Sequence, residues 1–257
     1  MTGTRLAGRV VLVTGAARGI GRVMAGVAAA EGASVAMASL REESARTSAD
    51  QLRASGADVI PLWGDLGDHG VAAALVSSTL ERWDRVDAVV HCAGAFHRSP
   101  AFETSDESWE KVVDTNLNGS FFIAREAGRA MTGKGGGDIV LISSMWGTAG
   151  GYGRAAYGAA KAGVNTMGRV LAAEWASVGI RVYTVAPGWV RTDTNLRLIA
   201  EGKMDLERMN ALAPTRAMLE PEEVANLCLT LILREQPMLS GTVISLDGGM
   251  TGWAGDV

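Results

Sequence analysis

Apolar and polar positions along this chain follow two rhythms. Short apolar runs fall at residues 10–13, 34–38, 59–62, 88–91, 139–143, 182–185 and 243–246. Such runs suit strands buried on both faces. Between most of them lie stretches with helical spacing: 19–31, 42–55, 71–83, 108–131 in two pieces, 155–177 and 221–234. In the first of these, Ile20, Val23, Met24, Val27 and Ala28 share one face. Strict alternation of strand and helix predicts an α/β fold with a parallel sheet. Right-handed crossovers make it doubly wound, seven-stranded, with helices on both faces. No Pro-, Gly- or Ser-rich linker divides the chain. Residues 1–257 are therefore expected to form a single domain. Segment 192–217 breaks the alternation and is expected to be irregular. It follows a strand end, where ligands sit in such sheets, so it suggests a substrate lid or a plain surface excursion.

Composition narrows the function. The 257 residues carry 24 Lys and Arg against 28 Asp and Glu, a formal net charge of −4. That balance gives no electrostatic footprint for nucleic acid or an anionic membrane. No apolar run is long enough to span a bilayer, and the N-terminus lacks a secretory pattern. Two cysteines cannot make a disulfide framework. A cytoplasmic protein with no metal site is expected.

Two local patterns carry chemistry. After the first strand comes Thr14-Gly15-Ala16-Ala17-Arg18-Gly19-Ile20-Gly21. Glycines at this spacing allow a tight turn and close approach of a pyrophosphate to a helix N-terminus. No Gly-Lys-Ser/Thr follows, so it is not a P-loop. Further on, Tyr157 and Lys161 stand four residues apart on one predicted helix face. A phenol ordinarily titrates near 10. A neighbouring ammonium favours phenolate and brings it toward acid/base work.

Taken together, the chain resembles the short-chain dehydrogenase/reductase family in its single-domain, Rossmann-like form. The motifs are Thr14 to Gly21, Asp65-Leu66, Ala93-Gly94, Asn116, Ser144, Tyr157 with Lys161, Pro187-Gly188 and Asp247-Gly248-Gly249. The resemblance implies that Tyr157 exchanges a proton with the substrate oxygen. Lys161 would bind the nicotinamide ribose and lower the Tyr157 pKa. Ser144, thirteen residues before Tyr157, would hydrogen-bond the substrate oxygen, and Asn116 would hold a water of the proton relay. Asp65 would accept from the adenine amino group, with Leu66 beside it. Pro187, Gly188, Val190 and Thr192 would border the nicotinamide. Gly15, Arg18, Gly19, Ile20, Gly21, Cys92, Ala93 and Gly94 complete the implied cofactor wall. Cys92 departs from the family's usual Asn there; it is expected to be a small filler, with a redox-sensitive thiol as the alternative.

Cofactor choice turns on the end of the second strand. An acid there would accept from the ribose 2′-hydroxyl and repel a 2′-phosphate. Ser39 stands at that position, and Arg18 and Arg41 could pair with a phosphate. NADP(H) is favoured over NAD(H). Trp146, Tyr152, Trp189 and His97 are candidate substrate contacts. The two tryptophans suggest an apolar or ring-bearing substrate, or packing against the lid. The chain is similar to 3-oxoacyl-thioester reductases and related ketoreductases. Arg98, Arg154, Arg197 and Arg216 could meet an acidic carrier. The expected activity is hydride transfer between NADP(H) and a small-molecule ketone or secondary alcohol. The alternative is a catalytically idle NADP-binding sensor or scaffold module. Family members imply a homotetramer or homodimer.

Overall fold

The computed structural model describes residues 4–252. Seven strands form one sheet: β1 (Val10–Thr14), β2 (Ser34–Ser39), β3 (Val59–Trp63), β4 (Ala88–His91), β5 (Gly137–Ile142), β6 (Ile180–Pro187) and β7 (Val243–Leu246). All neighbours pair in parallel, in the order β3-β2-β1-β4-β5-β6-β7. The order reverses between β1 and β4. Loops leaving the two strands diverge there and open a crevice at the carboxyl ends, the usual ligand position in such sheets.

Side chains of each strand alternate between two cores. Val11 and Val13 face helices α1 (Gly19–Ala30), α2 (Glu42–Arg53) and α9 (Pro221–Ile232). Leu12 faces α3 (Val71–Trp83), α5 (Gly119–Met131) and α6 (Ala155–Trp175). Burial on both sides explains why the inner strands read as apolar runs, while the edge strands β3 and β7 are only partly covered.

The break expected within 108–131 is a specific device. Helix α4 (Asp106–Val113) passes into a π-helical turn, Asp114–Asn118, and then into α5. The wider turn re-aims the side chains that follow, as π-bulges at functional sites do. It carries Asn116, which is fully buried.

Segment 192–217 differs from the irregular loop expected. It contains α7 (Asp193–Ala200) and α8 (Leu206–Ala211). The Thr192 hydroxyl accepts from the Asn195 amide at 3.4 Å, and the Asp205 carboxylate accepts from the Arg208 amide at 3.1 Å. Such N-caps start helices that are too short to show apolar periodicity. A parallel bridge between Val190 and Leu219 pins the two ends of the excursion together.

At the opposite end of the sheet, Asp138 at the start of β5 is completely buried. Three guanidiniums converge on its carboxylate: Arg9 at 2.9 Å, Arg181 at 2.8 Å and Arg234 at 3.1 Å. No helix among the described residues is long and apolar enough to cross a membrane.

Candidate active site

The glycine turn leaves β1 directly against the loop after β4. Gly15 has φ +66°, and a Cβ there would lie 2.8 Å from the Ala93 nitrogen. Only glycine meets both demands. The Thr14 hydroxyl ties the two loops, accepting from the Ala93 amide at 3.2 Å. It also bonds the His91 ring Nδ1 at 2.8 Å. Burial pushes the His91 imidazole down to about 3, so it stays neutral and plays no acid/base part. Burial also pushes the Cys92 thiol up to about 12. A thiol held protonated is a weak nucleophile.

Thr192 and Asp193 arch over the start of α1. A Cβ on Gly19 would sit 3.3 Å from the Thr192 methyl. The Gly19 amide donates to the Asp193 carboxylate at 3.3 Å, and Arg22 lies 3.6 Å from the same carboxylate. An acid thus caps the helix terminus that the sequence pattern reserves for phosphate, an anion position in either case.

Four predicted side chains converge at the carboxyl ends of β4 and β5. Lys161 is buried, and its ammonium donates to the Ile142 carbonyl at 2.8 Å. It stands 5.7 Å from the Tyr157 ring centre. Burial lowers the Lys161 pKa to about 8. Asn116 donates from Nδ2 to the carbonyls of Ala95 at 2.7 Å and Val112 at 2.8 Å. Its Oδ1 is buried and has no partner. A Cβ on Gly94 would be 2.7 Å from that oxygen and 3.8 Å from the Lys161 Nζ, so Gly94 is the gap between them. Ser143 spends its hydroxyl on the Lys161 carbonyl at 3.1 Å and pins α6 to β5. Ser144, the next residue, accepts from the Trp146 amide at 3.2 Å and draws the Tyr157 pKa down.

The phenol is buried among polar neighbours. Burial raises the Tyr157 pKa; Ser144 and the Arg154 guanidinium pull it back without prevailing. The Lys161 ammonium donates one of its N–H groups to the Ile142 carbonyl and stands beside the ring.

The remaining predicted contacts lie around this group. Ser39 is buried at the end of β2 with an unpartnered hydroxyl. Arg41 starts α2 and lines a groove of about 360 Å³ with Ala17, Arg22, Glu43, Ser44 and Thr47. Arg18 is exposed. Asp65 is bonded to Lys111 and accepts from the Gly67 amide at 3.0 Å. Burial pushes its carboxyl up, but those two donors outweigh it and hold it below the usual range. Leu66 and Val190 are buried, and His97 is partly exposed in the loop after β4. Tyr152 is 78% exposed. Trp146 and Trp189 meet edge to face, with ring centres 6.1 Å apart. Their rings surround Arg154, together with Phe96, whose own ring packs edge-on against Tyr157 at 5.3 Å. The sequence reading gave Arg154 no part in this cage and omitted Phe96. One signal was available: a cation where a helix start usually has an acceptor.

A sheet that reverses order between β1 and β4, a glycine turn and a Ser-Tyr-Lys-Asn cluster match a known family. A family model described as enoyl-(acyl carrier protein) reductase matches residues 15–251. The chain belongs to the short-chain dehydrogenase/reductase family and is an oxidoreductase of CH–OH and C=O groups. It is 34% identical to a D-threitol dehydrogenase of Mycolicibacterium smegmatis over 96% of this chain and 94% of that one. It is also 34% identical to the 3-oxoacyl-[acyl-carrier-protein] reductase FabG of Escherichia coli, over 95% of this chain and 97% of that one. The crystal structure of an actinorhodin polyketide ketoreductase with NADPH superposes with TM-score 0.90 at 31% identity, covering 98% of this chain and 100% of that one.

Proposed function

We propose that this chain transfers a hydride between NADP(H) and a ketone or secondary alcohol, with Tyr157 as the proton donor and acceptor. The observation that carries this is the convergence of Tyr157, Ser144, Lys161 and Asn116 beside the glycine turn. Bound nicotinamide would supply the hydride. The protein's own residues do the rest. A carbonyl oxygen that gains negative charge needs donors and a proton. Ser144 and Tyr157 provide both. Lys161 is a buried cation one helical turn from the phenol, and Asn116 Oδ1 is a buried acceptor open to a relay water. An idle sensor module has no use for such a set.

The turn between β1 and α1 suits a dinucleotide's pyrophosphate, because the Gly19 amide at the helix N-terminus already holds an anionic oxygen, that of Asp193. The last residue of β2 is Ser39 rather than an acid, and the nearby Glu42 and Glu43 open α2, where acids suit the helix N-terminus, although Glu43 also lines the groove. Ser39 offers an unpartnered hydroxyl, and Arg41 and Arg22 line the adjoining groove. The NADPH-bound ketoreductase with this fold supports the same preference. Wild-type kcat/KM is expected to favour NADPH over NADH by more than 10-fold, and Arg41→Ala to cut that ratio by about 10-fold, the scale of one charge-assisted hydrogen bond. A wild-type preference for NADH would overturn the assignment.

Asp193 sets a second expectation. Its carboxylate holds the Gly19 amide and places a like charge where pyrophosphate would lie. Asp193→Asn should therefore tighten NADPH binding by about 3- to 10-fold, read by fluorescence titration, as expected for removing one partly exposed helix-end charge. Weaker binding would mean that the lid contact helps to form the site.

The excursion at 192–217 serves as the lid in this reading, since its first residues touch the glycine turn. Assembly as a homodimer or homotetramer is supported by exposed Phe121 on α5 and Val170 on α6, both more than a third exposed.

A further inference from the structure

The least expected group near Tyr157 is a guanidinium without a counter-charge. Arg154 begins α6 and is only 9% exposed. No carboxylate among the described residues bonds it. The deep guanidiniums at the other end of the sheet, Arg9 and Arg181, are both tied to Asp138. The neighbouring charged side chain at Arg154 is Arg98, which repels it. A cation at a helix N-terminus also opposes the helix dipole. Burial and Arg98 together lower the Arg154 pKa to about 10.

Aromatic rings hold it in place. The guanidinium carbon lies 4.8 Å from the Phe96 ring centre, 4.7 Å from Trp146 and 5.2 Å from Trp189. Stacking on rings steadies the charge but accepts none of its five N–H donors in the plane of the fork. Gly151 makes room for the cage: a Cβ there would lie 2.9 Å from Arg154 Cδ and 2.7 Å from the Trp146 ring. A second donor beside it is sealed off completely. The Trp189 indole nitrogen is buried and has no acceptor. The lining beside the reacting phenol is therefore rich in donors and short of acceptors. A buried cation left in this state is costly unless something pairs with it.

We infer that the substrate of this site carries a carboxylate, held by Arg154 about one helical turn from the carbonyl that Tyr157 serves. This deepens the oxidoreductase reading and rests on it. Rings on three sides leave the fork only its edge, which matches a planar carboxylate in bidentate contact. A neutral polyol or a plain ring ketone would leave the charge buried and unpaired. Trp146 and Trp189 both lie against the cation in this arrangement. Phe96 touches both the guanidinium and the Tyr157 ring, so the two groups share one pocket wall, which favours short oxo acids.

The test uses matched pairs with NADPH: acetoacetate against methyl acetoacetate, and levulinate against methyl levulinate. Wild type is expected to favour each acid in kcat/KM by about 100-fold, mainly through KM, as for a charge-assisted fork. Arg154→Met should lower the acid-to-ester ratio by about the same factor, and Arg154→Lys should restore part of it. Malonate should raise the melting temperature of wild type but not of Arg154→Met, while dimethyl malonate should do neither. Equal turnover of acid and ester by wild type overturns the inference, as does an Arg154→Met ratio that does not move. Preference for dihydroxyacetone phosphate over both acids overturns the carboxylate assignment. Failure of wild type to turn over any ketone sinks the oxidoreductase reading instead. Malonate protection then decides the anion site independently.

Discussion

Tyr157→Phe is expected to lower kcat for carbonyl reduction by about 100- to 10,000-fold, the range that a positioned general acid supplies. The substitution removes one oxygen and keeps the ring. The edge-on contact with Phe96 at 5.3 Å and the ammonium of Lys161 at 5.7 Å from the ring centre both depend on the ring alone. The variant should therefore fold as wild type does, and its NADPH dissociation constant should move far less than its kcat. Stopped-flow decay of NADPH absorbance under single turnover separates the chemical step from product release. Retention of full activity would remove Tyr157 from the reaction and leave Ser144 without a partner. A wild-type protein that binds NADPH tightly but reduces no carbonyl would favour the sensor module instead. The outcome bears on the phenol's environment too. Burial holds its proton on, and Ser144 and Arg154 only partly offset this. The phenol of the free protein is thus prepared as an acid rather than a base. That state suits donation to the oxygen of a ketone as hydride arrives.

The strands were legible because burial on both faces leaves little room for polar residues. Val10, Val11, Leu12 and Val13 could be placed from apolar character alone. The Tyr157 and Lys161 pair was legible because four residues along a helix always share a face. Asn116 was harder. Its orientation depends on a π turn, which has no signature in apolar periodicity, and its burial depends on the loop after β4 arriving beside it. Helices α7 and α8 escaped because caps, rather than a stripe of apolar residues, define them. The Arg154 cage was least legible of all. Phe96 follows β4, Trp146 and Arg154 both lie between β5 and α6, and Trp189 follows β6, so only the convergence of these three loops brings the four together. The same holds for Asp138, an ordinary acid in sequence that proves to be the centre of a buried charge cluster.

Asp138→Ala is expected to destabilise the fold by about 3–5 kcal/mol, the usual consequence of removing one partner from a buried ion network. That is a large share of the roughly 5–15 kcal/mol available to a native protein. The carboxylate is fully buried, and the side chains of Arg9 and Arg181 are 20% and 21% exposed. Without Asp138, the guanidiniums of Arg9, Arg181 and Arg234 would repel one another around a small cavity. They join the chain before β1, the start of β6 and the end of α9, so the acid ties three distant segments at the amino ends of the strands. Urea unfolding at fixed protein concentration measures the shift in midpoint. Glu42→Gln, which removes a half-exposed pair with Arg46, is the control and should barely move it. The reaction site lies at the other ends of the strands, so kcat of the folded Asp138→Ala protein at low temperature should stay near wild type. A midpoint like that of the control would mean that water replaces the carboxylate as partner to the three arginines. A collapse of kcat without loss of stability would mean that the two ends of the sheet are coupled.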